Sequence, residues 1–386
     1  MTDRTTDEAA HDLEIARDAS LFARVALVIY ILLIVYASGY PFSGWQSTGL
    51  SPWDYIGAPF PHYWTRFDVL TNIIAYVPFG VCFVLAVHPY LRGAAAVLAA
   101  ILGGALLTGA VEAAQTFLPS RVSSNLDFVS NLAGATAGAV AGQLLSHKFF
   151  THSRLLLLRQ HWFLPDAGAG MILLALWPLA QIYPQEYVFG HGQLTAILSG
   201  WFSALMSTPI DLNALALQGR QLTIEQHWLA ETIVSACGLT GAMLLLFFLL
   251  RRSAPKLLLA GALVALALAT KLLASALLFS PDSAFTWLTP GARGGLVLGL
   301  MMVAGLAFAR PVAQRRLAAA TFVISLVIVN MVPANPYFTA TLQTWVQGKF
   351  LNFNGAAQFL SLIWPFAALW FLLAPGRVSR HIAKHK

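Results

Sequence analysis

From residue 22 onward the chain is a succession of apolar blocks, each roughly 18 to 25 residues long, which is enough to cross a ~30 Å hydrocarbon layer at ~1.5 Å per helical residue. Inside lipid every backbone N–H and C=O needs an internal partner, so blocks of this kind must be helices. A mean hydropathy of +0.69 with only 10% charged residues excludes a soluble globular domain, whose surface needs far more charge. The sequence therefore predicts an all-α, polytopic bundle of about ten spans: 22–39, 68–88, 93–118, 127–147, 168–188, 228–250, 255–279, 293–309, 317–332 and 356–374. Breakers such as Pro89, Pro119, Pro255, Pro281, Pro290, Pro311 and Pro333 fall at the joins.

The net charge of +7 does not point to nucleic acid, because the basic residues sit in short connections between apolar blocks. With the N-terminus inside, Arg66, Arg121, Arg220, Arg293 and Lys349 fall on outer segments and Lys271 inside a span. The other seventeen of the 23 Lys and Arg residues fall on the inner side. That bias predicts cytoplasmic N- and C-termini. The polar segment 1–21, with Asp3, Asp7, Glu8, Asp12, Glu14 and Asp18, is unlike a secretory signal. Aromatic residues of the outer segments, among them Trp45, Trp53, Tyr55, Tyr63, Trp64, Trp287, Tyr337 and Trp345, read as an interfacial belt. Within 190–227, the stretch Leu194 to Met206 is too short to span and lies in the interface or re-enters. A composition shift after the basic loop 148–161 divides the chain. The parts are a polar segment 1–21, a four-helix membrane domain 22–164, a second membrane region 165–375 of about six spans, and a basic tail 376–386.

Polar residues within spans are costly, and the first four spans concentrate them. Asp68 and Asn72 open the second span, Glu112 and Gln115 end the third, Arg121 follows in the turn, and Asp127 and Asn131 open the fourth. Each helical pair, three or four residues apart, shares a face, and all seven residues fall near the outer side. Asp68 and Asp127 stand at helix starts, where an acid also serves as a cap. Glu112 has no such role: it sits near the C-terminal end of its helix, where the dipole disfavours negative charge, so it must be protonated or paired. Arg121 is the nearest cation in sequence. Rows of small residues (Ala96, Ala100, Gly104 and Thr108 in the third span; Gly134, Gly138 and Gly142 in the fourth) predict a tight hairpin that turns Glu112 toward Asn131.

These residues resemble the VanZ-like family, named for a glycopeptide-resistance protein that lowers susceptibility to teicoplanin. The resemblance is carried by Asp68, Asn72, Pro78 and Gly80, then by Glu112, Gln115, Arg121, Asp127, Asn131 and Gly134. It covers roughly residues 25–150, and the second segment is the more specific half. Arg121 and Asp127 stand farther apart than in many relatives. The resemblance implies a four-helix domain of the bacterial cell envelope and says nothing of the chain after residue 165.

Elsewhere Lys271 can snorkel or pair with Glu231, and the segment 332–338 reads as a stiff Pro loop. Asp54 stands alone among aromatics, in a place where some membrane glycosyltransferases carry a catalytic acid. His62, His191 and His227 could face outward, while His381 and His385 lie in the basic tail. Cys82 and Cys237 sit inside apolar blocks and read as small buried hydrophobes. No zinc helix, Walker loop or G-x-S-G motif occurs, since Ser199-Gly200 lacks the first glycine, and no metal or cofactor is expected. The first functional expectation is a non-catalytic protein of the bacterial cytoplasmic membrane. Its outer polar pocket would bind a membrane lipid head group, a lipid-linked cell-wall precursor or a glycopeptide antibiotic, with Arg121 gripping an anionic group. An enzyme on a lipid-linked substrate, with Glu112 as general acid or base, is the alternative. A small-solute transporter fits least, because the acids lie toward one side and the halves differ.

Overall fold

The computed structural model describes residues 23–39, 42, 44–61, 63–88, 90–119, 121–151, 158–159, 161–216, 222–279, 281–333 and 351–374, and the structural statements below concern these residues. The expected polar segment 1–21, the tail with His381 and His385, His62, Arg220, Tyr337, Trp345, Lys349 and most of the 332–338 loop lie outside them. The fold is all-α, with one isolated antiparallel bridge between Phe163 and Leu250. The chain divides into two compact units, Met1–Arg159 and Gln160–Lys386.

Six helices are long and apolar enough to cross a membrane: Asp68–Val87, Ala94–Gln115, Asn125–Ser146, Ile224–Leu249, Lys256–Leu277 and Pro311–Met331. The other expected spans coincide with shorter apolar helices, Ala23–Gly39, Pro165–Ala180, Pro290–Leu306 and Ala357–Leu373. The chain is thus a multi-pass membrane protein.

Unit 1 contains α1 (Ala23–Gly39), the short α2 (Asp54–Gly57), α3 (Arg66–Val87), α4 (Ala94–Gln115) and α5 (Asn125–Thr151). Thr65 starts α3 with a capping box: its hydroxyl accepts from the Asp68 N–H while the Asp68 carboxylate accepts from the Thr65 N–H. The glycine row of α5 corrects the expected pairing. A Cβ at Gly134 or Gly138 would collide with the carbonyl oxygens of Ile73 and Val77, and one at Gly80 would strike the Ala135 and Ala139 backbone. The closest packing in the unit is therefore α3 on α5, not α4 on α5. A row of small residues marks a close approach without naming its partner, and here α3 supplies the facing backbone. The α4 row still touches α5, since a Cβ at Gly104 would press on the Ala135 methyl. Helix α1 lays Ile34, Tyr30 and Leu27 against Tyr76, Phe79 and Val111.

Unit 2 contains α6 (Gly168–Ala180), α7 (Thr195–Met206), α8 (Leu212–Ala216), α9 (Ile224–Leu249), α10 (Lys256–Leu278), α11 (Pro290–Leu306), α12 (Pro311–Met331) and α13 (Leu351–Leu373). Helix α9 is its axis and is almost wholly buried, chiefly by α11 and α12. Gly291, Gly295 and Gly299 lay the α11 backbone against Trp228, Thr232 and Ala236 of α9. The span expected over 168–188 stops at Ala180. Pro184 is the reason: its ring lacks an N–H and would clash with the Ala180 carbonyl four residues back. The chain from Gln181 to Leu194 is a buried non-helical loop that brings Phe189 and His191 into the unit. Helix α7 is too short to span and exposes Trp201, Phe202, Leu205 and Met206.

Candidate functional site

Glu112 is 2% exposed, on the face of α4 that looks toward α5. Its carboxylate Oε2 accepts from the backbone N–H of Ser124 at 2.9 Å, and its carbonyl accepts from the Ser123 hydroxyl at 2.8 Å. Ser124 immediately precedes α5, and its own Oγ accepts from the Asp127 N–H at 3.3 Å. Glu112 thus lies at the unfavourable end of its own helix dipole but at the favourable, N–H-rich start of the neighbouring one.

The seven residues expected to form the cluster divide into two groups. Asn72, Glu112, Asp127 and Asn131 meet where α3, α4 and α5 come together. Asn72 Nδ2 donates to Asp127 Oδ1 at 2.8 Å, and Asn131 Nδ2 donates to Thr108 Oγ1 at 3.0 Å. Asp127 lies within electrostatic reach of both Glu112 and Asp68, with Asp68 exposed at the rim as part of the α3 cap. Gln115 and Arg121 face the other way. Gln115 Nε2 donates to the Ser38 carbonyl at 3.1 Å, and an Arg121 guanidinium nitrogen to the Ala37 carbonyl at 3.4 Å. Both serve the last turn of α1, whose carbonyls lack intrahelical partners and favour a cation. The expected meeting of Glu112 with Asn131 becomes a contact of Asn131 with Thr108, one turn along α4 from Glu112.

Two polar groups beneath the carboxylates are buried without a hydrogen-bond partner: the Tyr76 hydroxyl and Asn131 Oδ1, on residues 4% and 6% exposed. Tyr76 lies beside Thr108 and within reach of the Glu112 charge. Above them the segment 44–61 folds over the α4–α5 connection: Gln46 N–H donates to the Phe117 carbonyl at 3.0 Å and the Thr48 hydroxyl to the Thr116 carbonyl at 3.2 Å. Tyr55 departs from the belt expectation. It is buried, packs on Phe128 and donates to the Gly109 carbonyl at 3.4 Å, and burial together with the Glu112 charge pushes its phenol above the ordinary range. Trp45, Trp53, Tyr63 and Trp64 are exposed, as a belt requires. Asp54 accepts from the Ser51 N–H at 2.9 Å and starts α2. Alongside the same stretch of α4 an apolar pocket of about 210 Å³ opens between Val35, Phe42, Trp45, Leu107 and Val111.

Unit 2 holds a separate buried polar group. His191 sits between Gln181, at 2.7 Å from Nε2, and Gln185, at 2.6 Å from Nδ1, with Ser361 close to Nδ1. Burial, then the Lys271 charge, hold the imidazole down to about 3, so it is neutral. Both glutamines meet the ring through their amide nitrogens, Gln181 Nε2 at one ring nitrogen and Gln185 Nε2 at the other. Lys271 is 3% exposed and does not snorkel. Its expected partner Glu231 is engaged instead by the Thr289 hydroxyl at 2.6 Å, at the start of α11. His191 and His227 both point inward. Among the described residues no group of three His, Cys, Asp or Glu could hold a metal ion.

Sequence reasoning passed over Ser124 and Tyr76 and read Tyr55 only as part of the aromatic belt. Ser124 and Asp127 make an S-x-x-D pattern, the signal of a helix start whose N–H groups need partners. Tyr76 and Tyr55 carry no such signal. Residues 25–146 match the family model described as VanZ/LLP1. No curated protein matches the chain, and no solved structure does.

Proposed function

With a VanZ/LLP1 family domain over residues 25–146, we propose that this chain is a non-catalytic envelope protein of the bacterial cytoplasmic membrane. Its polar cluster binds the head group of a membrane lipid or a lipid-linked cell-wall precursor on the extracytoplasmic side. Action on a teicoplanin-type glycopeptide would follow from the same site. The bias of Lys and Arg toward one set of connections supports that orientation. The observation that carries the reading is the fully buried Glu112, with the Tyr76 hydroxyl and Asn131 Oδ1 left without partners near it. A purely structural polar core tends to satisfy its own groups, because each orphan costs about 1–3 kcal/mol. The hydrogen bonds of Glu112 to Ser124 and of Asp127 to Asn72 hold the two carboxylates in place.

The test compares lipids and precursors that co-purify with the full-length protein and with a Glu112→Gln, Asn131→Ala double variant, using mass spectrometry of mild-detergent extracts. One class enriched over the bulk membrane, and lost in the variant, supports the reading. A co-purifying profile equal to the bulk membrane in both would remove it.

A further inference from the structure

The cluster between α3, α4 and α5 has more acceptors than donors. Its side-chain amide donors each serve an acceptor already in the cluster, Asn72 Nδ2 making one bond to Asp127 and Asn131 Nδ2 one to Thr108. The Ser124 N–H takes one oxygen of Glu112, leaving Oε1, and Asn72 takes one oxygen of Asp127, leaving Oδ2. Asn131 Oδ1, which can only accept, is buried and unpartnered, and so is the Tyr76 hydroxyl. Asp127 adds its field to that of Glu112, and exposed Asp68 adds its own to that of Asp127. Arg121 donates toward α1, at Ala37.

A group that fills this site must bring N–H donors and positive charge. A phosphate brings neither: it is an acceptor and an anion, and would meet carboxylates in a poorly solvated place. A bare metal ion is a poor match, because no three carboxylate-type ligands come together among the described residues. A quaternary ammonium has the charge but no N–H. A primary ammonium has three donors on one charged centre, which suits carboxylate oxygens on two helices and an amide oxygen on one of them.

Resting on the head-group reading above, we propose that the ligand group held by Glu112, Asp127 and Asn131 is a protonated primary amine. It is carried by an ethanolamine-type lipid head group or by a free amine of the same chemistry. Tyr76 and Thr108 form the floor of the site.

Native mass spectrometry of the full-length protein in a neutral detergent tests this with short-chain phosphatidylethanolamine, phosphatidylcholine and phosphatidylglycerol, and with free ethanolamine as competitor. The ethanolamine lipid should bind about tenfold or more tightly than the other two, as expected for charge-assisted hydrogen bonds that those lipids cannot make. Asp127→Asn should reduce that preference. Tyr76→Phe removes one hydroxyl and keeps the ring that packs on Phe79, so it reports on the site even if the carboxylate variant folds poorly. Displacement by free ethanolamine supports a soluble amine as the source, and its failure to displace the lipid supports the head group. Equal or tighter binding of the choline or glycerol lipid overturns the amine assignment while leaving the head-group reading standing. Binding of none of the three overturns both.

Discussion

The Ser124 backbone N–H points at Glu112 Oε2 from 2.9 Å, so the start of α5 supplies the partner that a buried carboxylate needs. Removing the side chain with Glu112→Ala strands a buried N–H, a loss worth about 1–3 kcal/mol. Glu112→Gln keeps an oxygen acceptor and should cost less. Unfolding of the purified protein in mixed micelles should therefore rank wild type, Gln and Ala in that order. An Ala variant as stable as wild type would show that this bond contributes nothing.

The glycines of unit 1 differ from one another in a way that unfolding can read. Gly138 faces the Val77 carbonyl so closely that Gly138→Ala must push α3 and α5 apart, with a cost of about 1–3 kcal/mol as in other overpacked interiors. Gly261, in the middle of α10, has open space where its Cβ would go, so Gly261→Ala should gain helix propensity of up to about 1 kcal/mol. Opposite signs for the two substitutions are expected. A loss at both positions would contradict the packing described for α10.

The parts of this molecule legible in its sequence are those set by the cost of polarity in lipid. Apolar block length located α3, α4, α5, α9, α10 and α12, and the polar residues breaking those blocks located Glu112, Asp127 and Asn131. What could not be read was which surfaces meet. The row Gly134, Gly138, Gly142 announces a close approach, but its partner is backbone on α3, and a carbonyl oxygen is the same in every residue. For the same reason the sequence points from Glu112 to Arg121 as the nearest cation, whereas its partner is the N–H of Ser124. Lys271 and His191 stand eighty positions apart in sequence, and their proximity depends on the loop that Pro184 forces after α6. Helix length failed there because Pro184 lies near the end of an apolar block, where it stops the helix while hydropathy continues.

His191 should make unit 2 sensitive to acid. Its folded value is lowered from the ordinary 6.5 to about 3, chiefly by burial. The unfolded chain therefore takes up the proton first, and stability that is fully present above about pH 6.5 is lost as the pH falls toward 3. Replacement by Asn leaves a polar group with nothing to titrate. Melting temperatures measured from pH 7 down to 4 should fall more steeply for wild type than for His191→Asn. Parallel slopes would mean that the imidazole is not held neutral by its surroundings.

Gln115 and Arg121 predict a local effect rather than a global one. Both donate to carbonyls in the last turn of α1, Gln115 to Ser38 and Arg121 to Ala37, while the α3–α5 seam is built from glycines against backbone. Each bond is worth about 1 kcal/mol, somewhat more where the guanidinium is the donor. Losing both should free the end of α1 and the segment that follows, including Trp45 beside the apolar pocket. Hydrogen exchange in detergent should therefore quicken at residues 36–39 and 44–48 in a Gln115→Ala, Arg121→Ala variant. Amides of α5 from 130 to 142 should stay as protected as in wild type. Equal loosening of α5 would place the two side chains in the seam instead. Unchanged exchange at α1 would mean that its apolar face, through Ile34 on Phe79 and Val111, holds it without them.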